Sequence, residues 1–174
     1  MIAEHGPDAV TVRGVAAAAG YSTKIVSHYF HSKDELLCFV FREAAKESVR
    51  QVRSLQRSKD LRRCLELLLP MDGETRQNWR MWIAFWSRAA FNKSFAREQA
   101  ASAKAAQQLI KDLLDSNRRR GLLPADFDSE VNSRRLLAAI IGLAIQAVLD
   151  PKSWPPAKQR RLLSAEINSM LPNA

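Results

Sequence analysis

The stretch Thr11-Val12-Arg13-Gly14-Val15-Ala16-Ala17-Ala18-Ala19-Gly20-Tyr21-Ser22-Thr23-Lys24-Ile25-Val26-Ser27-His28-Tyr29-Phe30 decides how the rest of the chain is read. Thr11 has the hydroxyl to cap a helix that Gly20 stops, and Ser22 has the hydroxyl to cap another directly after it. Ala16 is small where two helices must approach closely, and Gly20 stands at the turn, where a positive φ costs glycine least. Val15, Ala19, Tyr21, Val26 and Tyr29 fall at the spacings of a shared core face. The second helix is then expected to turn Thr23, Lys24, Ser27 and His28 outward. Two hydroxyls, an ammonium and an imidazole suit phosphate oxygens and base edges. This is the layout of a helix-turn-helix. A plain helical hairpin with a polar outer face meets the same spacing, so spacing alone leaves both readings open.

Downstream, Ser32-Lys33-Asp34-Glu35 reads as a capping box, and Leu36, Leu37, Val40 and Phe41 mark the apolar face of a helix running to about Gln56. Further helices are expected at about 59–69, stopped by Pro70, then at 75–92, 96–120, 129–149 and 156–170. Gly121 follows Arg118-Arg119-Arg120, which places cations on the negative end of a helix dipole, and Asp128 and Pro151 bracket the next helix. Apolar residues recur at three and four almost everywhere, with no sustained period-two alternation. The expected fold class is all-α, with no internal repeat and no low-complexity linker.

The chain has 174 residues, 47% of them apolar, enough for one substantial core. Its formal charge of +9 invites a nucleic-acid partner, but residues 1–47 carry five Lys or Arg against six Asp or Glu, and residues 48–174 carry 22 against 12. Charge therefore does not locate the site. Arg50, Arg53 and Arg57 fall at helical spacing and Arg118 to Arg120 at a helix end, where solvated faces and dipole partners are the ordinary explanation. The longest apolar stretch, Leu136 to Leu149, is interrupted by Gln146 and reads as too short to span a bilayer, and no charged-then-apolar leader opens the sequence. A cytoplasmic protein with no membrane partner is expected. Cys38 and Cys64 sit in apolar helical patterns and read as core. His28 and His31 are three apart, His5 is remote, and no carboxylate array accompanies them, so no metal is expected. The sequence has no glycine-rich phosphate loop, GxSxG elbow, HExxH or cysteine with an evident histidine partner, so neither an enzyme nor a cofactor is expected.

Three runs, Thr11-Val12-Arg13-Gly14-Val15-Ala16, Ala19-Gly20-Tyr21-Ser22 and His28 through Leu37, resemble the tetracycline-repressor (TetR-type) family of regulators. Within it, Ser22 through Phe30 is similar to the recognition helix of the choline-responsive betaine-pathway (BetI-like) repressors. Trp82-Ile83-Ala84-Phe85-Trp86 is similar to part of their sensing domain. The motif covers about the first 40 residues and a looser likeness covers the rest. The resemblance implies a bacterial homodimeric repressor on a near-palindromic double-stranded DNA operator. Residues 1–47 would bind DNA, and residues 48–174 would bind a small-molecule effector and dimerise. Two residues depart from the pattern: Ser27 stands where most of the wider family has a phosphate-contacting tyrosine, and Lys24 where the subgroup often has glycine. The family's first helix is long and begins with basic residues, whereas only Met1 to His5 precede Gly6-Pro7, so most of that helix is expected to be absent. That leaves a second reading open, a helical protein-interaction module of the same fold with weakened DNA binding and a basic surface for an acidic partner.

On this reading Thr11, Arg13, Lys24, His28, Tyr29 and Lys33 are expected at phosphates, and Thr23, Lys24 and Ser27 nearest the base edges. A homodimer is expected through helices at about 104–120 and 133–149. There Leu109, Leu113, Leu136, Ile140, Leu143 and Ala147 recur at helical spacing, and Ala139, Gly142 and Ala144 allow close approach. The alternative is that these stripes are entirely intramolecular core. Trp79, Trp82, Phe85 and Trp86 form the candidate ligand pocket, holding three of the four tryptophans within eight positions. Trp79, Trp82 and Trp86 share a helical face, with Phe85 to one side beside Met81. Aromatic filling between helices explains them, and so does a cavity for a quaternary ammonium held by cation–π attraction of about 0.5 to 2 kcal/mol per ring.

Overall fold

In the computed structural model, which describes residues 10–55 and 60–171, every regular element is an α-helix. In chain order these are α1 (Val12–Ala18), α2 (Thr23–Tyr29), α3 (Lys33–Leu55), α4 (Leu61–Glu66), α5 (Gly73–Ala89), α6 (Lys93–Arg119), α7 (Ser129–Leu149) and α8 (Pro156–Ser169). The expected fold class and helix positions agree with this to within a few residues. The expected helix end near Gln56 and start near 59, and the break at Gly6-Pro7, lie outside the described residues.

Side-chain caps set most of the helix starts. Asp60, Asp72, Asn92 and Asp128 each occupy an N-cap and accept from first-turn amides, a role that satisfies otherwise orphaned donors. Asp72 and Thr75 form a reciprocal capping box. The box expected at Ser32 and Glu35 is displaced by one residue. Ser32 Oγ does accept from the Glu35 amide at 3.1 Å, but the Glu35 carboxylate accepts from the His31 amide at 2.8 Å instead of from Ser32. Pro156 occupies the first turn of α8, where its missing N–H costs nothing.

The core lies between α6, α7 and the helices around them. Leu65, Leu109, Ile110, Leu114, Leu136, Ile140 and Leu163 are all essentially sealed from solvent. A second cluster joins Val10 and the start of α3, through Leu36, Leu37 and Phe41, to Phe85 on α5 and Phe95 on α6. Helix α3 therefore belongs to both ends of the molecule. Its first two turns support α1 and α2, and Val49 and Val52 pack into the main core. Both cysteines are buried and reduced.

Two sequence expectations are corrected here. Leu109, Leu113, Leu136, Ile140 and Ala147 are buried inside a single chain, none more than 3% exposed, and Leu143 packs against the same core. The apolar stripe read as a pairing surface is the inward face of α6 and α7, because spacing at three and four marks a buried face whichever molecule buries it. The second correction is that α7 does have the length and apolarity to cross a bilayer. By length and composition alone its 21 residues suffice, as those of buried core helices also can, whereas the run Leu136 to Leu149 judged from sequence is only the later part of the helix. In this fold it packs against α5, α6 and α8.

Candidate nucleic-acid interface and ligand pocket

Helices α1 and α2 form the expected two-helix unit. Thr11 Oγ1 accepts from the Gly14 amide at 3.0 Å and Ser22 Oγ from the Ile25 amide at 3.3 Å. Between the helices, Gly20 sits at φ 71°, a left-handed conformation that side chains with a Cβ rarely adopt. The Gly20 amide bonds to the Ala17 carbonyl and the Tyr21 amide to the Ala16 carbonyl, which ends α1 and swings the chain into α2. A Cβ at Gly14 would meet the capping Thr11 hydroxyl at 3.0 Å, so only glycine lets that cap close without displacement. Ala16 on α1 and Val26 on α2 are the buried residues of the two helices.

The core face read from the sequence is narrower than expected. Val15 is half-buried, but Ala19, Tyr21 and Tyr29 are exposed, the two tyrosines at 61% and 68%. With helices of only seven residues each, one buried position per helix seals the contact and the flanking large residues are left outside. Among the proposed DNA contacts, Thr11, Arg13, Thr23, Lys24, Ser27, His28 and Tyr29 are all exposed, and Lys33 is half-buried at the start of α3. The His28 and Tyr29 rings meet edge to face at 5.4 Å. Ile25, not singled out from the sequence, is 46% exposed on the same helix. An isoleucine inside a helical pattern gives no signal of its own unless the burial of its neighbours is known.

Links from this unit to the rest of the fold were not legible in the sequence, because their partners are more than fifty positions apart. Asp34 accepts from Arg88 at the end of α5 at 3.5 Å and from Asn92, the N-cap of α6, at 3.4 Å. Arg42 makes a two-pronged contact with Glu98 of α6, its Nε donating at 3.0 Å. The Arg42 hydrogen bond holds the Glu98 carboxyl below its usual range. Between these polar ties the Phe41 and Phe85 rings stack at 3.5 Å with planes 7° apart, and Trp82 meets Phe41 edge-on at 4.8 Å.

The four candidate pocket aromatics are brought together on α5, but they face different neighbours. Trp79 joins the main core and donates from Nε1 to the Leu68 carbonyl at 2.9 Å. Its ring meets Trp86 edge to face at 5.8 Å, and Trp86 donates in turn to Gln99 on α6. Phe85 is buried between Phe41 and Phe95. The space beside it, lined by Leu37, Val40, Phe41, Met81, Arg88 and Phe95, is a cavity of only about 10 Å³. Arg88 already stands 5.9 Å from the Phe95 ring centre, a cation supplied by the protein itself. A cavity of about 470 Å³ lies at the end of α6 far from Asn92, lined by residues that include Leu61, Arg62, Asn117, Leu123 and Ile167.

Known proteins resemble this chain over nearly its whole length. Residues 1–38 match the family of bacterial regulatory proteins of the tetR type, and residues 57–172 match the C-terminal domain of BetI-type transcriptional repressors. The BetI regulator of Stenotrophomonas maltophilia is 31% identical over 98% of this chain and 87% of its own, and PksA of Bacillus subtilis is 28% identical over 98% and 84%. Among solved structures, a transcriptional regulator from Rhodococcus sp. Rha1 superposes with a TM-score of 0.80 at 28% identity, covering 97% of this chain and 89% of its own. A regulator from Saccharomonospora viridis, solved in complex with choline, does so at 0.82 and 26%, covering 99% and 92%. The capped helix-turn-helix, the all-helical body behind it and these likenesses together establish that the chain belongs to the tetR family of transcriptional regulators, with a BetI-type repressor C-terminal domain, and is not an enzyme.

Proposed function

We propose that this regulator is a cytoplasmic repressor that binds a near-palindromic operator as a homodimer and releases it when a small cation, of the quaternary ammonium type, binds among Trp79, Trp82, Phe85 and Trp86. The observation that carries the reading is the continuity of α3, which supports the helix-turn-helix at one end and stacks Phe41 on Phe85 of the aromatic helix. The division of labour follows, with residues 1–47 for DNA and 48–174 for effector and dimer. Thr23, Lys24 and Ser27 lie nearest the base edges, while Thr11, Arg13, Lys24, His28, Tyr29 and Lys33 meet phosphates, Lys24 serving either role. The choline found in the Saccharomonospora viridis neighbour supports the class of effector, and electron-rich rings favour a cation that asks for few hydrogen bonds.

In the closed packing the cavity beside Phe85 holds about 10 Å³, too little for such a ligand. Entry therefore separates α5 from Phe41 of α3 and Phe95 of α6. Effector affinity and the position of α3 become one equilibrium, which needs a few kcal/mol of differential affinity between the two forms. For pairing, the faces left uncovered are Val131, Ala138, Gly142 and Leu149 on α7, and Ala157, Arg161 and Ala165 on α8, each set at helical spacing and exposed. A two-fold axis through those faces would pair four helices and present two recognition helices to successive major grooves.

Binding to duplexes from the regulator's own promoter region, measured at about 50 and 200 mM salt, tests the reading. Specific binding that weakens by orders of magnitude between the two salts is expected of several phosphate contacts. No binding at the lower salt, with retention on an acidic protein partner instead, would support the protein-interaction alternative.

A further inference from the structure

Helix α2 leaves a large aliphatic side chain partly in solvent among the described residues. Ile25 is 46% exposed while its neighbour Val26 is 7% exposed, so the helix spends one β-branched residue on the contact with α1 and keeps the other outside. Ile25 lies one residue from Lys24 and three from His28, both exposed, and Tyr21 stands open immediately before the Ser22 cap. Three- and four-residue steps place Lys24, Ile25 and His28 on neighbouring strips of one helical face. An isolated exposed isoleucine needs no explanation on an ordinary surface. Here it stands beside the Lys24 ammonium and the His28 imidazole, groups suited to a duplex-facing surface. The major groove presents one apolar group to such a surface, the C5-methyl of thymine.

Resting on the proposed DNA-binding role, we propose that Ile25 is a specificity-determining residue that reads a thymine methyl group in each half-site, with Lys24 and His28 beside it supplying the charged and hydrogen-bonding contacts. A thymine methyl buried against an aliphatic side chain contributes by removal of apolar surface from water, at roughly the worth of one methylene group. That corresponds to about a fourfold change in affinity per half-site, and about fifteenfold for the two-fold pair.

The test selects duplexes from a random pool with the full chain, then rebuilds the selected duplex with deoxyuridine replacing thymidine, which deletes the methyl and leaves base pairing intact. The native protein is expected to bind the deoxyuridine duplex about fifteenfold less tightly. Ile25→Ala is expected to bind both duplexes equally, with a melting temperature like that of the native protein because the side chain is exposed. Selection repeated with Ile25→Ala is expected to lose the preference for thymine at one position in each half-site. A selected site with no thymine at a fixed position, a native protein indifferent to methyl removal, or an Ile25→Ala variant that keeps the discrimination would each overturn the assignment. Failure to select any duplex would contradict the DNA-binding reading itself, and this inference with it.

Discussion

Individual side chains at helix ends carry much of the local order, and they were the most legible feature of the sequence. Thr11, Ser22 and Asp128 were readable as caps because each precedes an apolar periodic run, and each accepts the expected first-turn amide. Asp72 was not singled out, although it combines a capping box with a carboxyl held below its usual range by the Thr75 amide and hydroxyl. Replacing Asp72 by Ala is expected to cost about 1 kcal/mol in urea unfolding at neutral pH. A carboxyl whose folded pKa is depressed contributes at pH above its unfolded value and loses that contribution as pH falls through the folded one. The difference between Asp72→Ala and the native chain should therefore shrink in acid, and a difference constant down to strongly acidic pH would contradict the capping role. On α2, Lys24→Ala is expected to weaken binding to all duplexes and to lower the salt slope by about 0.9, whereas Thr23→Ala should change sequence preference. An unchanged slope would remove Lys24 from the phosphate contacts.

Between helices, the seam where α3, α5 and α6 meet left no mark in the sequence. Periodicity shows that a helix has an apolar face but not which helix covers it, so the stacking of Phe41 on Phe85 and the tie of Asp34 to Arg88 and Asn92 emerge only in the fold. The same limit explains why Leu109, Leu113, Leu136 and Ile140 read as a pairing surface although they fill the core of one chain. Phe85→Ala is expected to cost about 3 to 5 kcal/mol of stability, as loss of a buried aromatic in a tight contact does. Asp34→Asn keeps the shape of that side chain and removes its charge opposite Arg88. It is expected to leave operator affinity within a few-fold and to weaken the effect of the effector on it, measured as the ratio of operator affinities with and without saturating choline. An unchanged ratio would take Asp34 out of the coupling. The exposed pair of Arg42 and Glu98 should contribute less than about 1 kcal/mol.

The proposed dimer rests on a face of α7 that the sequence marked only at Gly142. With the inner stripe of α7 consumed by the core, Val131, Ala138, Gly142 and Leu149 remain outside. A side chain at Gly142 meets nothing within 4 Å inside the chain, so Gly142→Arg should leave each protomer folded while halving the mass seen by light scattering. Leu136→Ala should instead destabilise the protomer by about 2 to 5 kcal/mol. The two-helix unit was legible because a few steric requirements, at Gly20, Ala16 and the two caps, fix a short motif, and the class of protein was legible through the resemblance carried by Thr11 to Ala16, Ala19 to Ser22 and His28 to Leu37. The proposed effector site was legible only as a cluster of aromatic residues on α5, because whether rings enclose a ligand or one another is decided by helices distant in sequence. The most direct measurement is fluorescence anisotropy of a labelled promoter duplex bound by the regulator, titrated with choline and with its uncharged carbon isostere. Saturable release by choline, absent with the isostere and lost in Trp82→Ala, is the predicted result. A duplex that stays bound at saturating choline, or that both compounds release equally, would contradict a repressor gated by a cation among these rings.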